Sequence, residues 1–287
     1  HILSVGHRAA ALCPKTYEWI LIMEHTVFMA LVATLGTWLV TALGAATVII
    51  FHNPGKRLMN LMLGFSAGVM VAASFWSLLQ PAVEGAQAEL DSPAWLVVTT
   101  GFVVGAMFMW GSDKIVTFAR RRVDAAGERR SLNRVIMLVL SITLHNIPEG
   151  LAVGVAFGAL HSGGMTPEAL AGAVTVAVGI GLQNFPEGAA VSLPLRREGY
   201  SRWRSFLVGQ SSGLVEPIAG VIGAASVVYI GALLPYALSF AAGAMVLVAV
   251  HELIPECQRN QADNPYLATM GIVAGFATMM LLDVALG

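Results

Sequence analysis

Two short phrases carry the chemistry of this chain: His145-Asn146-Ile147-Pro148-Glu149-Gly150 and Gln183-Asn184-Phe185-Pro186-Glu187-Gly188, each inside a long apolar stretch. A carboxylate near the middle of a bilayer costs roughly 3 kcal/mol on insertion scales, so two of them need a compensating partner, and a bound cation is the direct one. Residues four apart share a helix face, which sets His145 over Glu149 and Gln183 over Glu187. Asn146 and Asn184 stand three residues before the same acids and open a second ligand edge that each glutamate joins to the first. Pro148 and Pro186 have no N–H to donate and crowd the carbonyls of Leu144 and Leu182, so both helices are expected to kink there and bare a backbone oxygen. Backbone loosened in this way persists at membrane depth only inside protein or along a watery cavity.

Long helices must hold these residues, and the composition provides them. The chain has 287 residues, 56% apolar and 11% charged, with a mean hydropathy of +0.73. That profile belongs to a polytopic membrane protein and excludes a soluble enzyme. A net charge of -1 argues against a nucleic-acid partner, which would want a basic face. Apolar stretches at 26–51, 58–82, 93–118, 132–160, 168–195, 204–229, 232–255 and 265–286 predict an all-α membrane protein of eight transmembrane helices. Nearly all of the 16 Lys and Arg fall in the connections after the first, third, fifth and seventh spans, which marks those as cytoplasmic. Both termini are then expected outside, with Arg8 and Lys15 the external exceptions. Cys13 and Cys257 lie on opposite sides, which leaves neither a disulfide frame nor a thiolate zinc site.

The chain divides into a polar N-terminal segment outside (1–25), a first three-helix unit (26–118), a cytoplasmic linker without histidine (119–131), a central helix pair (132–195) and a second three-helix unit (204–287). Thr166-Pro167-Glu168 predicts a capped helix start for the fifth span. Gly64-x3-Gly68, Gly101-x3-Gly105 and Gly209-x3-Gly213 predict close helix approach.

The fourth span runs inside to outside and the fifth returns, yet both carry the same Asn-x-Pro-Glu-Gly phrase, which predicts an inverted repeat. A weaker match joins Ala67-Gly68-Val69-Met70-Val71 and Pro81 of the second span to Ala242-Gly243-Ala244-Met245-Val246 and Pro255 of the seventh. The expected arrangement is 3+2+3, with spans 1–3 inverted against 6–8 and span 4 against 5. At 1.5 Å per residue, His145, Asn146, Gln183, Glu216 and Met70 all fall near the middle of their spans. Imidazole, carboxylate, amide and thioether donors at one level suit borderline divalent ions such as Zn²⁺, Fe²⁺, Mn²⁺ or Cd²⁺ better than Ca²⁺ or Mg²⁺. His251 and Glu252 lie nearer the cytoplasm and read as an exit site. Asp113 and Asp283 lie near the inner and outer ends of the third and eighth spans.

These residues resemble the ZIP (Zrt/Irt-like protein) family of metal transporters, closest to its bacterial branch, with the likeness running through all eight spans. The resemblance implies a two-metal transport site. One position is lined by Met70, His145, Glu149, Gln183 and Glu187, and the other by Asn146, Glu149, Asn184, Glu187 and Glu216. Some relatives have Asp where this chain has Asn184, which removes one negative charge from the second position. It further implies flux of divalent transition metal, Zn²⁺ first, into the cytoplasm across a bacterial inner membrane. No catalytic cofactor is implied, and a homodimer often is. The alternative is an intramembrane metal-dependent hydrolase built on His251-Glu252, but Pro255 stands where an H-E-x-x-H motif needs its second histidine.

Overall fold

The computed structural model describes residues 14–50, 55–125, 130–197, 199–258 and 266–286. Its long helices, in chain order, are α1 (Pro14–Ile50), α2 (Lys56–Ala88), α3 (Ala94–Ala125), α4 (Arg130–Gly163), α5 (Pro167–Arg197), α6 (Arg202–Tyr229), α7 (Gly231–Gln258) and α8 (Leu267–Leu286). Among the described residues, seven of them are long and apolar enough to cross a membrane. The remaining one, α4, has 34 residues, and its side chains over 130–142 lie outside the described residues. Three helices clearly overrun their expected ends, the second reaching Ala88 rather than 82. The first begins at Pro14, well before position 26, and the third continues past 118 to Ala125, so much of the expected 119–131 linker is helical. Arg and Ala in that stretch are good helix formers and let the helix run on beyond its apolar part. Arg8 and Cys13 lie outside the described residues.

Local signals place several boundaries. Thr166 Oγ1 accepts the Ala169 N–H at 3.2 Å, with Pro167 opening α5 and Glu168 in its first turn, as the sequence predicts. Ser201 caps α6 in the same way, accepting from Arg204 N at 3.2 Å. Gly199, with φ +96°, makes the left-handed turn between α5 and α6 that a side chain would resist.

Two helices widen in the middle. In α2 the turn Ser74–Leu79 is π-helical, and in α7 the turn Ala249–Leu253 is too. The N–H of Gln80 reaches back five residues to Phe75 O, and that of Ile254 five residues to Ala249 O. Pro81 and Pro255 each follow two residues after the wide turn, and a proline that cannot donate is relieved by such an expansion.

The densest pairings are α2 with α8, α3 with α7, α1 with α5 and α4 with α6. Glycine brings the backbones together in each. A Cβ on Gly68 would strike Ile272 O, one on Gly275 would strike Phe65 O, and one on Gly105 or Gly243 would strike Phe240 or Phe102 O. On the other side of the molecule, Gly44 lies on Phe185 O, Gly188 on Thr41 O and Gly154 on Gly220 O. The small-residue patterns of α2 and α3 are thus spent on packing within this chain. Helices α1, α4, α5 and α6 form one closely fitted group and α2, α3, α7 and α8 a second. The groups meet through side chains, such as Met279 of α8 against Gly179 of α5. The largest buried apolar cluster bridges them, joining Met70 of α2, Val153 of α4, Ile180 of α5 and Met245 of α7.

Candidate metal centre

The two prolines at which kinks are expected lie inside continuous helices: Pro148 within α4 and Pro186 within α5. The glycine after each glutamate then lets a partner backbone close over the polar turn. Gly150 abuts Glu216 O, and Gly188 abuts Thr41 O at less than van der Waals room for a methyl group. This contact carries the acids into the interior of the helix group.

The buried acids and amides are bonded pairwise. Gln183 Nε2 donates to Glu149 Oε1 at 2.6 Å, across α5 and α4. Asn184 Nδ2 donates to Glu216 Oε2 at 2.8 Å, across α5 and α6. Ser66 Oγ, from α2, lies 2.8 Å from Glu187 Oε1 and 3.3 Å from the backbone oxygen of Gln183. Met70, one helical turn after Ser66 and therefore on the same face, is fully buried. His145 Nε2 lies 2.7 Å from Glu252 Oε1 of α7. Glu149, Gln183 and Glu216 are 0% exposed, Asn184 1%, Asn146 2% and His145 9%, while Glu187 is half-buried.

Four oxygens in this cluster are buried with no hydrogen-bond partner: Asn146 Oδ1, Glu149 Oε2, Gln183 Oε1 and Asn184 Oδ1. An orphaned buried acceptor costs about 1–3 kcal/mol, and more when charged, so four together form a demand that a cation would answer. Among the described residues no three His, Cys, Asp or Glu side chains gather into a cage by themselves. The amide oxygens of Asn146, Gln183 and Asn184 would have to complete any ligand set here, and oxygen with one imidazole is a donor mixture that divalent transition metals accept.

The adjacent residues His251 and Glu252 part company. Glu252 turns up to His145, whereas His251 lies 4.0 Å from Asp113 of α3 with its side chain 61% exposed. Both belong to the π-helical turn of α7, whose extra residue separates the directions of neighbours. Near the opposite end, Ser77, in the π-helical turn of α2, donates to Asp283 of α8 at 2.6 Å.

Sequence reasoning missed the hydroxyls. Thr34, Thr37 and Thr41 form a buried stripe on α1, spaced three and four apart, and Thr37 Oγ1 donates to Glu216 Oε2 at 2.5 Å. That spacing in an otherwise apolar span was the available signal, as was Ser66 four residues before Met70.

Comparison with known proteins points one way. A family described as ZIP Zinc transporter matches residues 123–283. The chain is 38% identical to Zinc transporter ZIP11 of Homo sapiens, over 92% of this chain and 99% of that protein. It is 38% identical to Zinc transporter ZIPB of Bordetella bronchiseptica, covering 86% of this chain and 78% of that one. Zinc transporter GufA of Myxococcus xanthus is 36% identical over 90% and 98% of the two chains.

Proposed function

This chain belongs to the ZIP family of zinc transporters, and from that premise we propose that it carries divalent metal, Zn²⁺ first and also Fe²⁺, Mn²⁺ and Cd²⁺, into the cytoplasm through the polar cluster between α4, α5 and α6. It is a multi-pass membrane transporter and not an enzyme. The observation that carries the site is the set of four buried, unbonded oxygens on Asn146, Glu149, Gln183 and Asn184.

Two adjacent positions share Glu149 and Glu187. Met70, His145 and Gln183 complete the first, and Asn146, Asn184 and Glu216 the second. Shared carboxylates and weak amide donors keep each ion loosely held, which a transporter needs if the ion is to leave. Glu252 and His251 receive the ion on its way inward, Glu252 from its seat beside His145. The protein works without a catalytic cofactor in a bacterial inner membrane, with both termini outside, and pairs as a homodimer.

Access alternates as one helix group slides past the other. Support for this comes from glycine contacts that lie within α1, α4, α5 and α6 or within α2, α3, α7 and α8, against side-chain contacts between the groups. Support for the 3+2+3 inverted repeat comes from the matched pairings of α1 with α5 and α6 with α4, and of α2 with α8 and α7 with α3. The π turns before Pro81 and Pro255 agree with it.

Purified protein in liposomes provides the test. Zn²⁺ uptake by the wild type and its loss in Glu149→Ala support the reading; wild-type uptake by both Glu149→Ala and Glu187→Ala refutes it.

A further inference from the structure

Glu216 is the most heavily bonded acid of the centre. Thr37 Oγ1 donates to its Oε2 at 2.5 Å, Asn184 Nδ2 donates to the same oxygen at 2.8 Å, and Thr41 Oγ1 stands 3.4 Å from Oε1. All four side chains are buried. The surroundings fix the amide of Asn184, because its Nδ2 faces two acceptors, Glu216 Oε2 and, at 3.3 Å, Thr37 O. Its Oδ1 is left on the other branch, buried and unbonded. Asn184 thus grips Glu216 with one arm and keeps a metal-ligating oxygen free on the other.

Thr37 has one hydroxyl hydrogen and two acceptors within reach, Glu216 Oε2 at 2.5 Å and the carbonyl of Thr34 at 3.0 Å. The carboxylate takes the hydrogen because a charge-assisted bond is the stronger of the two. The Thr34 carbonyl is an alternative that a rotation about the Cβ–Oγ1 bond reaches without moving the helix. We infer that Thr37 is a positioning residue that latches the second metal position, holding Glu216 back from a divalent cation until its hydroxyl turns onto Thr34 O.

This inference rests on the two-position reading above and ranks the positions. The ion beside Met70, His145 and Gln183 is the firmly bound one. The ion beside Asn184 and Glu216 meets a carboxylate whose Oε2 already takes two hydrogen bonds, so it can engage both oxygens only when Thr37 lets go, and until then it binds weakly. Sharing Glu149 and Glu187 with its neighbour, it loosens the first ion when it arrives, so weak entry at one position becomes release from the other. Valine matches threonine in shape and lacks the hydroxyl, while serine keeps it.

Calorimetric titration of the full-length purified chain with Zn²⁺, alongside liposome uptake, tests the latch. Wild type and Thr37→Ser are expected to bind one ion tightly and a second weakly. Thr37→Val is expected to bind the second about tenfold or more tightly, the worth of one hydrogen bond to a charged group, with first-ion affinity unchanged and maximal uptake reduced. Second-ion affinity unchanged or weakened in Thr37→Val overturns the latch, as does a Thr37→Ser protein that behaves like Thr37→Val. Two equally tight ions in the wild type overturn it too, while leaving the metal centre standing. A Glu149→Gln chain that still binds both ions overturns the centre itself and the latch with it.

Discussion

In α4, Gly150 lies against the backbone of Glu216, whereas in α5 the corresponding Gly188 lies against the backbone of Thr41. The two phrases share a backbone arrangement: proline inside a continuous helix, then glutamate, then a glycine pressed on a neighbouring helix. What faces them differs. One copy meets an acid and the other a hydroxyl, and these two facing residues themselves approach to 3.4 Å. The acids differ likewise. Glu149 is fully buried with an amide from Gln183, and Glu187 is half-buried with a hydroxyl from Ser66 on the opposite helix group. Repetition thus supplied the frame, and divergence at the facing positions made the surroundings of the two acids unequal.

The shared frame is the most brittle part of that comparison. Gly154→Val on α4 and Gly44→Val on α1 each drive a side chain into backbone, at Gly220 and Phe185. Neither neighbour can yield, so each substitution is expected to cost at least about 3 kcal/mol and to remove folded protein. Size-exclusion profiles of detergent extracts would register the loss, and a normal peak from either variant would break the equivalence of the two helix pairs.

The unequal acids come next. Glu149→Gln is expected to lower Zn²⁺ uptake at least about 100-fold and Glu187→Gln at least about tenfold, since losing even a group that only supports a ligand costs about 10–100-fold. Initial uptake rates in liposomes would decide, and equal losses would mean that the difference in burial has no functional weight. The smallest effect expected is that of Ser66→Ala. Removing the hydroxyl that engages Glu187 Oε1 frees that oxygen for the ion and is expected to lower the Zn²⁺ concentration for half-maximal uptake roughly fivefold, less than the gain from Thr37→Val because Glu187 is only half-buried, whereas Gln183→Ala removes a proposed ligand and is expected to raise it by more.

Much of this was legible from residues alone, for identifiable reasons. Hydropathy marks spans because lipid tolerates little else, and the paired phrases stand out because acids and amides are rare at that depth. Thr166 announced its helix through chemistry confined to one turn. Thr37 and Thr41 did not announce themselves. A threonine in an apolar helix ordinarily bonds back to its own helix, as Thr34 does to Ala30 O at 2.7 Å, and nothing within α1 says which hydroxyl reaches across to Glu216. The divergence of His251 from Glu252 was hidden for a different reason. A π turn shifts direction by one residue, and Pro255 was its only mark in the sequence.

The boundary between the two helix groups has a further consequence. Within each group backbones touch at glycines, but across the boundary the contacts are made by side chains, apolar ones such as Met70, Ile180 and Met279 and the polar bonds of Ser66 and Glu252. If the groups slide as proposed, the motion would proceed by side-chain rotation and by displacement of neighbouring lipid, so its friction would be set partly by the surrounding membrane. A cell that grows cold, or stiffens its lipids, would slow this protein without altering any group that touches the ion.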